Sequence, residues 1–169
     1  MKAAPVVMVM GPAGVGKSLI GAQLARELGI PFLDADTLHS VAARQKMAGG
    51  QGLTDEDRAP WLDRVSSVLS GAATTGQGLV VACSALKRAY REQFRVAATR
   101  LFFVELIATP EVLSERLRSR SSHFVSVELL PSQLSDLESL EHEERGARID
   151  SMRAPAAVVA DAIRHLRDD

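Results

Sequence analysis

Gly11-Pro12-Ala13-Gly14-Val15-Gly16-Lys17-Ser18 spells GxxxxGKS, the phosphate-loop pattern, and its flanks decide how the chain folds. The apolar run Val6-Val7-Met8-Val9-Met10 precedes it and reads as a buried strand. Behind it, Ile20, Leu24 and Leu28 fall on one face of a helical repeat, so the octet sits in the strand-loop-helix setting that the motif requires. Glycines let the backbone wrap closely around phosphate oxygens, while successive amide N–H groups and the helix N-terminus supply positive potential. The eight residues from Gly11 to Ser18 are therefore expected to cradle a nucleoside triphosphate. Lys17 is expected to reach its β and γ phosphates, and the Ser18 hydroxyl to ligate the Mg²⁺ between them. A glycine-rich turn with a solvated lysine is the competing reading.

Further apolar runs at Phe32-Leu33, Leu79 to Cys83 and Leu101 to Leu106 alternate with helix-length segments, the order of βαβ units. An α/β fold with a mostly parallel sheet and helices on both faces follows, with a fifth strand around Ala147 to Ile149. Thr109 is placed to cap a helix that starts with Pro110 and ends near Arg120, with Val112, Leu113 and Leu117 as its apolar stripe. Val158, Val159, Ala162, Ile163 and Leu166 mark a closing helix. Gly49-Gly50-Gln51-Gly52 and the stretch from Gly71 to Gly78 read as flexible connections.

The 169 residues, 46% of them hydrophobic, suit one domain over 1–169. Twenty Lys+Arg against 21 Asp+Glu give a formal charge of −1, which argues against nucleic acid and anionic membranes as partners and for small-molecule chemistry. The N-terminus has neither the layout of a signal peptide nor a membrane-length apolar run, so a cytoplasmic location is expected. Cys83 is the only cysteine and reads as a buried strand residue. His39, His123, His142 and His165 lie too far apart for a zinc motif, leaving nucleotide-borne Mg²⁺ as the only metal implied.

Asp34 and Asp36 stand at a strand end, where open α/β sheets place their ligands, and strand alternation would point them different ways. Asp36 is the favoured base for a substrate hydroxyl, with Asp34 nearer the metal. A helix cap and a solvated turn would also account for two such aspartates.

The chain resembles the gluconokinases of the shikimate kinase and nucleoside monophosphate kinase superfamily. The likeness runs from the phosphate loop through Phe32-Leu33-Asp34-Ala35-Asp36-Thr37-Leu38-His39, Lys46-Met47-Ala48-Gly49-Gly50 and Leu53 to Leu62, which contains DxDRxPWL. It resumes at Cys83-Ser84-Ala85-Leu86-Lys87-Arg88-Ala89-Tyr90-Arg91, continues from Arg116 to Phe124 and reaches Gln133. The resemblance implies a P-loop NTPase three-layer sandwich with a mobile lid at 121–133, and an acceptor-binding region at 37–75. It further implies an ATP-dependent sugar-acid kinase, usually converting D-gluconate to 6-phosphogluconate, and a homodimer.

A polyhydroxy carboxylate needs a fixed cation, hydrogen-bonding groups for its hydroxyls and a base beside the reacting one. Arg58 is the candidate clamp and Lys87 the second cation, with His39 and Ser84 along the carbon chain; a surface pair with Asp57 is the plainer reading of Arg58. Trp61, with Leu62 and Val65, reads as a packing anchor rather than a sugar platform. Arg116 and Arg120 lie four apart, on one face of the helix entering the lid. The superfamily resemblance suggests that one packs near adenine while Arg120 covers the transferring phosphoryl group. His123 and Phe124 lie in the lid and match the family.

Several positions depart from the family pattern: Ala35 and Ser122 replace glycine, Ser40, Gly52 and Leu140 replace proline, and Ala43 replaces asparagine. If position 43 faces the sugar, loss of the amide would change which hydroxyls are read. A kinase for shikimate or a nucleoside monophosphate is the second reading. A nucleotide-dependent switch is the third, without the NKxD motif that would support it.

Overall fold

The computed structural model describes residues 3–120 and 127–169. Five strands, β1 (Val6–Met10), β2 (Phe32–Asp34), β3 (Leu79–Ala82), β4 (Phe102–Ile107) and β5 (Gly146–Asp150), form one sheet in the order β2-β3-β1-β4-β5. Every neighbouring pair is parallel, which matches the near-continuous apolar runs of the sequence, since a parallel sheet is covered on both faces.

The period-2 alternation of β1 sorts the core. Val7 and Val9 face one cluster with Ile20 and Leu24 of α1 (Lys17–Leu28), Leu113 and Leu117 of α5 (Pro110–Ser119), and Val158, Val159 and Ala162 of α7 (Pro155–Asp168). Val6, Met8 and Met10 face the other, with Trp61, Val65 and Leu69 of α3 (Asp55–Thr75) and Tyr90 and Phe94 of α4 (Arg88–Ala97). The result is the expected three-layer sandwich. Cys83 is buried there, and burial pushes its thiol up to about 12, so it is a core residue without nucleophilic character.

Local signals set the helix ends. Thr109 accepts the Val112 N–H with Pro110 in the first turn of α5, as its sequence predicts, and Gly29 closes α1 in the left-handed conformation. Ser40 caps α2 (Val41–Ala48) by accepting the Ala43 N–H at 3.1 Å. Ahead of α3, Thr54 and Asp57 form a reciprocal capping box.

Two expectations need correction. Gly71 is not in a flexible connection, because α3 continues to Thr75 and ends only at left-handed Gly76. Burial of Leu69 against the sheet, with Ala72 packed beside it, outweighs the low helix propensity of one glycine. Asp36 is not on a strand: β2 stops at Asp34, and a 3₁₀ turn follows from Ala35 to Leu38.

The ends of β1, β2 and β3 thus deliver the phosphate loop, Asp34 and Ser84 to one edge of the sheet. The Gly11 N–H donates to the Ser84 carbonyl at 3.2 Å and ties two of these ends together. The start of α3 carries Arg58 and Trp61 to the same edge. Thr54→Ala, which removes half of the capping box, is expected to lower stability by about 1 kcal/mol in urea denaturation while leaving the fold intact.

Candidate active site

The phosphate loop is wound so tightly that only glycine fits at its turns. Gly11 adopts φ +139°, and a Cβ there would stand 2.9 Å from the Leu106 carbonyl oxygen; Gly14, at φ +84°, would bring one to 3.0 Å from that of Leu113. The loop is thereby pressed against β4 and α5, with Val15 buried as its apolar anchor. Lys17 folds its ammonium back onto the Pro12 carbonyl at 3.1 Å. Burial draws the Lys17 pKa below the ordinary lysine value, with the charges of Asp36 and Asp34 acting the other way.

The Asp34 carboxylate uses both of its oxygens. One carboxylate oxygen accepts the Asp36 N–H at 3.0 Å and caps the 3₁₀ turn, while the other accepts the Ser18 hydroxyl at 2.5 Å. One side chain thus caps the turn and holds the Ser18 hydroxyl. The 3₁₀ turn carries Asp36 into the wall of a cleft that Lys17 and Ser18 also line.

His39, Arg58 and Ser84 line the same cleft. His39 is 7% exposed and stacks on Trp61 with ring centroids 4.3 Å apart and planes at 11°. Trp61 is itself held by its Nε1–H donating to the Ala35 carbonyl at 2.7 Å, so it is the packing anchor expected and supports the histidine. Burial, then Arg64, Arg44 and Arg58, push His39 down to about 4. The imidazole is neutral near pH 7, and its buried Nδ1 has no hydrogen-bond partner among the described residues.

Arg58 does not form the surface pair with Asp57, which instead bonds Lys46 at 2.6 Å. Its guanidinium, with 12% of the side chain exposed, donates to the Tyr90 hydroxyl at 2.8 Å and to Asp136 at 3.1 Å. Tyr90 in turn donates to Asp55 at 2.5 Å.

Of the other expected cations, Lys87 alone lies away from both this cleft and a second one. Lys87 occupies the N-cap position of α4 and bonds Asp55 at 3.0 Å, outside the residues that line the cleft. Arg116 lies behind the phosphate loop, where it donates to the Val15 carbonyl at 3.3 Å and to the Ser151 carbonyl at 3.0 Å. Arg120 leaves the helix as the extended C-cap of α5, lines the cleft, and is close enough for its charge to lower the Lys17 pKa. Arg116 and Arg120 nonetheless meet at the second cleft, which Val15 and Gly16 of the phosphate loop also line, although α5 ends at Ser119 between them. Of the lid residues, Ser121, Ser122, His123 and Phe124 lie outside the described residues.

Sequence reasoning missed Tyr90, Gln133 and Asp136. Tyr90 stands three residues beyond Lys87 in a stretch already singled out, but a tyrosine on an apolar helix face gives no sign of a polar partner. Gln133 and Asp136 belong to α6 (Leu130–Asp136), and Gln133 accepts the Ala13 N–H at 2.7 Å, a contact across 120 residues that no local pattern announces. Ala43, by contrast, is buried in α2 and does not line the cleft.

The donor set suits Mg²⁺. Ser18 and Asp34 offer a hydroxyl and a carboxylate in contact, both hard oxygen ligands, and Mg²⁺ is usually held by one or two protein oxygens together with substrate phosphates and water. No cluster of three His, Cys, Asp or Glu able to hold a metal occurs among the described residues, so a fully protein-coordinated ion has no counterpart there. Nor is any described helix long and apolar enough to cross a membrane.

Fold and cleft together define the class, a phosphate-loop kinase acting on a small molecule. A family model described as an AAA domain matches residues 6–140. The gluconokinase of Gluconobacter oxydans (strain 621H) is 41% identical, covering 95% of this chain and 90% of that protein, and the gluconokinase of Arabidopsis thaliana is 37% identical over 91% and 88%. A gluconokinase structure from Sinorhizobium meliloti 1021 superposes with TM-score 0.88 at 37% identity, covering 99% of this chain and 94% of that one. An unliganded sugar kinase from Janibacter sp. HTCC2649 gives TM-score 0.92, also at 37% identity, covering 97% and 95%. Shikimate kinase from Aquifex aeolicus, 18% identical with TM-score 0.66 over 95% of each chain, shares the fold. The chain belongs to the gluconokinase family.

His39 gives this site a pH signature. Folding lowers its pKa from 6.5 to about 4, so between those values the unfolded chain binds a proton that the folded chain refuses. Its stabilising contribution is complete above pH 6.5 and is lost as pH falls toward 4. Thermal denaturation from about pH 7 to about pH 4.5 is expected to show a steeper fall in melting temperature for the wild type than for His39→Phe, which keeps the stack on Trp61 without the titrating group.

Proposed function

We propose that this chain transfers the γ-phosphoryl group of ATP to the terminal hydroxyl of D-gluconate, giving 6-phospho-D-gluconate. The observation that carries this reading is the single cleft in which the phosphate loop and Lys17 face Asp36, His39, Arg58 and Ser84. The likeness to the gluconokinases of Gluconobacter oxydans and Arabidopsis thaliana, each covered over most of its length, supports the choice of acceptor.

In this reading the loop amides and Lys17 hold the β and γ phosphates, and Arg120 adds positive charge where it builds up during transfer. Ser18 and Asp34 would hold Mg²⁺, which neutralises phosphate charge when bound. Arg58 meets the gluconate carboxylate. Among the described residues its hydrogen bonds to Tyr90 and Asp136 engage two of its five donors and fix the plane of the guanidinium. Neutral His39 and the Ser84 hydroxyl bond the hydroxyls between, where a charged imidazole would compete with Arg58 for the carboxylate. Asp36 accepts the proton of the attacking hydroxyl as its oxygen bonds to phosphorus and the bond to ADP breaks. Lys87, bound to Asp55 outside the cleft wall, is assigned to shaping the Tyr90 and Arg58 network instead of touching the acceptor.

The departures from the family pattern bear on this unequally. Ser40 replaces proline as a helix cap and uses the Ala43 N–H for it, while Ala43 is buried, and neither lines the cleft. Gly52 does line the cleft, and widens it there relative to proline.

Asp36→Asn is expected to lower kcat by roughly 10²-fold to 10⁴-fold with little change in affinity for an ATP analogue, measured by coupled ADP release and by titration. Wild-type turnover in that variant would remove the assigned base. Across sugar acids, shikimate and nucleoside monophosphates, ADP release is expected to be fastest with gluconate; a marked preference for shikimate or a nucleotide would replace the acceptor assignment.

A further inference from the structure

α6 carries two polar side chains one turn apart, each bonded to a residue that lines the cleft. Gln133 accepts the Ala13 N–H of the phosphate loop at 2.7 Å, and Asp136 accepts from Arg58 on the acceptor side at 3.1 Å. Positions three apart share a helix face, so one rigid turn spans both walls. The turn is anchored from behind. Leu129 and Leu130 are each 3% exposed, and Leu130 packs in the core with Leu113 and Leu117 of α5.

The geometry fixes the orientation of the Gln133 carboxamide. A backbone N–H can only donate, so the oxygen must face Ala13 and the NH₂ must point the other way. Ala13, Gln133 and Ser132 all line the cleft that also contains Lys17, Asp36 and Arg58. The Ala13 peptide lies between the two glycines that let the loop turn, Gly11 and Gly14, in a segment without a regular hydrogen-bond ladder of its own. A side-chain acceptor at that amide therefore controls where the first half of the loop sits relative to the acceptor wall.

We propose that Gln133 is a positioning residue for phosphoryl transfer, holding the phosphate loop through Ala13 in register with the acceptor wall to which Asp136 ties the same helix. This rests on the phosphotransferase reading above. Transfer requires the attacking oxygen in line with the γ-phosphorus, and small misplacements are costly to the rate. Loss of register also favours water, the smaller nucleophile, as the alternative acceptor. Gln133 thus acts on the fidelity of transfer as well as its speed.

The test uses the full chain with Mg²⁺, ATP and gluconate, measuring ADP formed and gluconate phosphorylated in the same reaction. Gln133→Met keeps length and helix propensity but offers Ala13 no comparable acceptor. It is expected to reduce kcat about tenfold or more, to change the KM for gluconate less than kcat, and to raise the ratio of ADP to phosphorylated product clearly above one. Gln133→Glu, which retains an oxygen for the Ala13 N–H, is expected to bring that ratio back toward one even if its added charge slows turnover. Circular dichroism melting of both variants shows whether they are folded. A ratio that stays at one in folded Gln133→Met, whatever its kcat, overturns the proposal, as does a ratio in Gln133→Glu as high as in Gln133→Met. A wild-type chain that binds nucleotide but phosphorylates no sugar acid would instead overturn the parent reading.

Discussion

The wound backbone of residues 11–16 is the constraint on which the rest of the site depends. Its turns demand φ values open to glycine, and the Cβ distances at Gly11 and Gly14 show that the loop is packed against β4 and α5 as well as curled for an anion. A loop of that shape needs outside support for its peptide groups, and three separate parts of the chain supply it. Ser84 takes the Gly11 N–H, Gln133 takes the Ala13 N–H, and Arg116 bonds the Val15 carbonyl. Each support comes from a segment that also builds or borders the cleft.

The acceptor side is ordered by buried polar groups whose partners are fixed one by one. Arg91 is wholly buried, bonds Glu144 through two nitrogens at 2.8 Å each, and also holds the Ala85 carbonyl at 3.1 Å. Removing one member of such a pair would strand a buried charge, so the arrangement is rigid. It steadies Ala85, a non-glycine residue at φ +44°, and with it the turn that presents Ser84 to the phosphate loop. On the opposite wall the chain of supports runs from Ala35 to Trp61 to His39. Function here rests on second neighbours as much as on the groups facing the ligand.

Much of this was legible in the sequence because the signals were local. The octet from Gly11 to Ser18 fixed the strand-loop-helix unit, apolar runs marked four of the five strands to within a few residues, the fifth fell around Ala147 to Ile149 as expected, and Thr109-Pro110 marked the start of α5. Asp36, His39, Arg58 and Ser84 meet at the cleft because they follow elements whose order and direction the sequence reveals. What escaped was set by tertiary contact. Core burial of Leu69 carried α3 past Gly71, and the end of β2 placed Asp36 on a 3₁₀ turn instead of a strand. Gln133 and Asp136 are ordinary helix residues until the fold brings α6 against Ala13 and Arg58.

The central claim is that triphosphate and acceptor meet directly in one cleft, without a phosphorylated enzyme between them. The stereochemical course at phosphorus tests it most directly, using ATP made chiral at the γ-phosphoryl group and gluconate as acceptor. A single in-line displacement predicts inversion of configuration in the sugar phosphate. Retention would mean two displacements and a covalent intermediate, and would contradict the account.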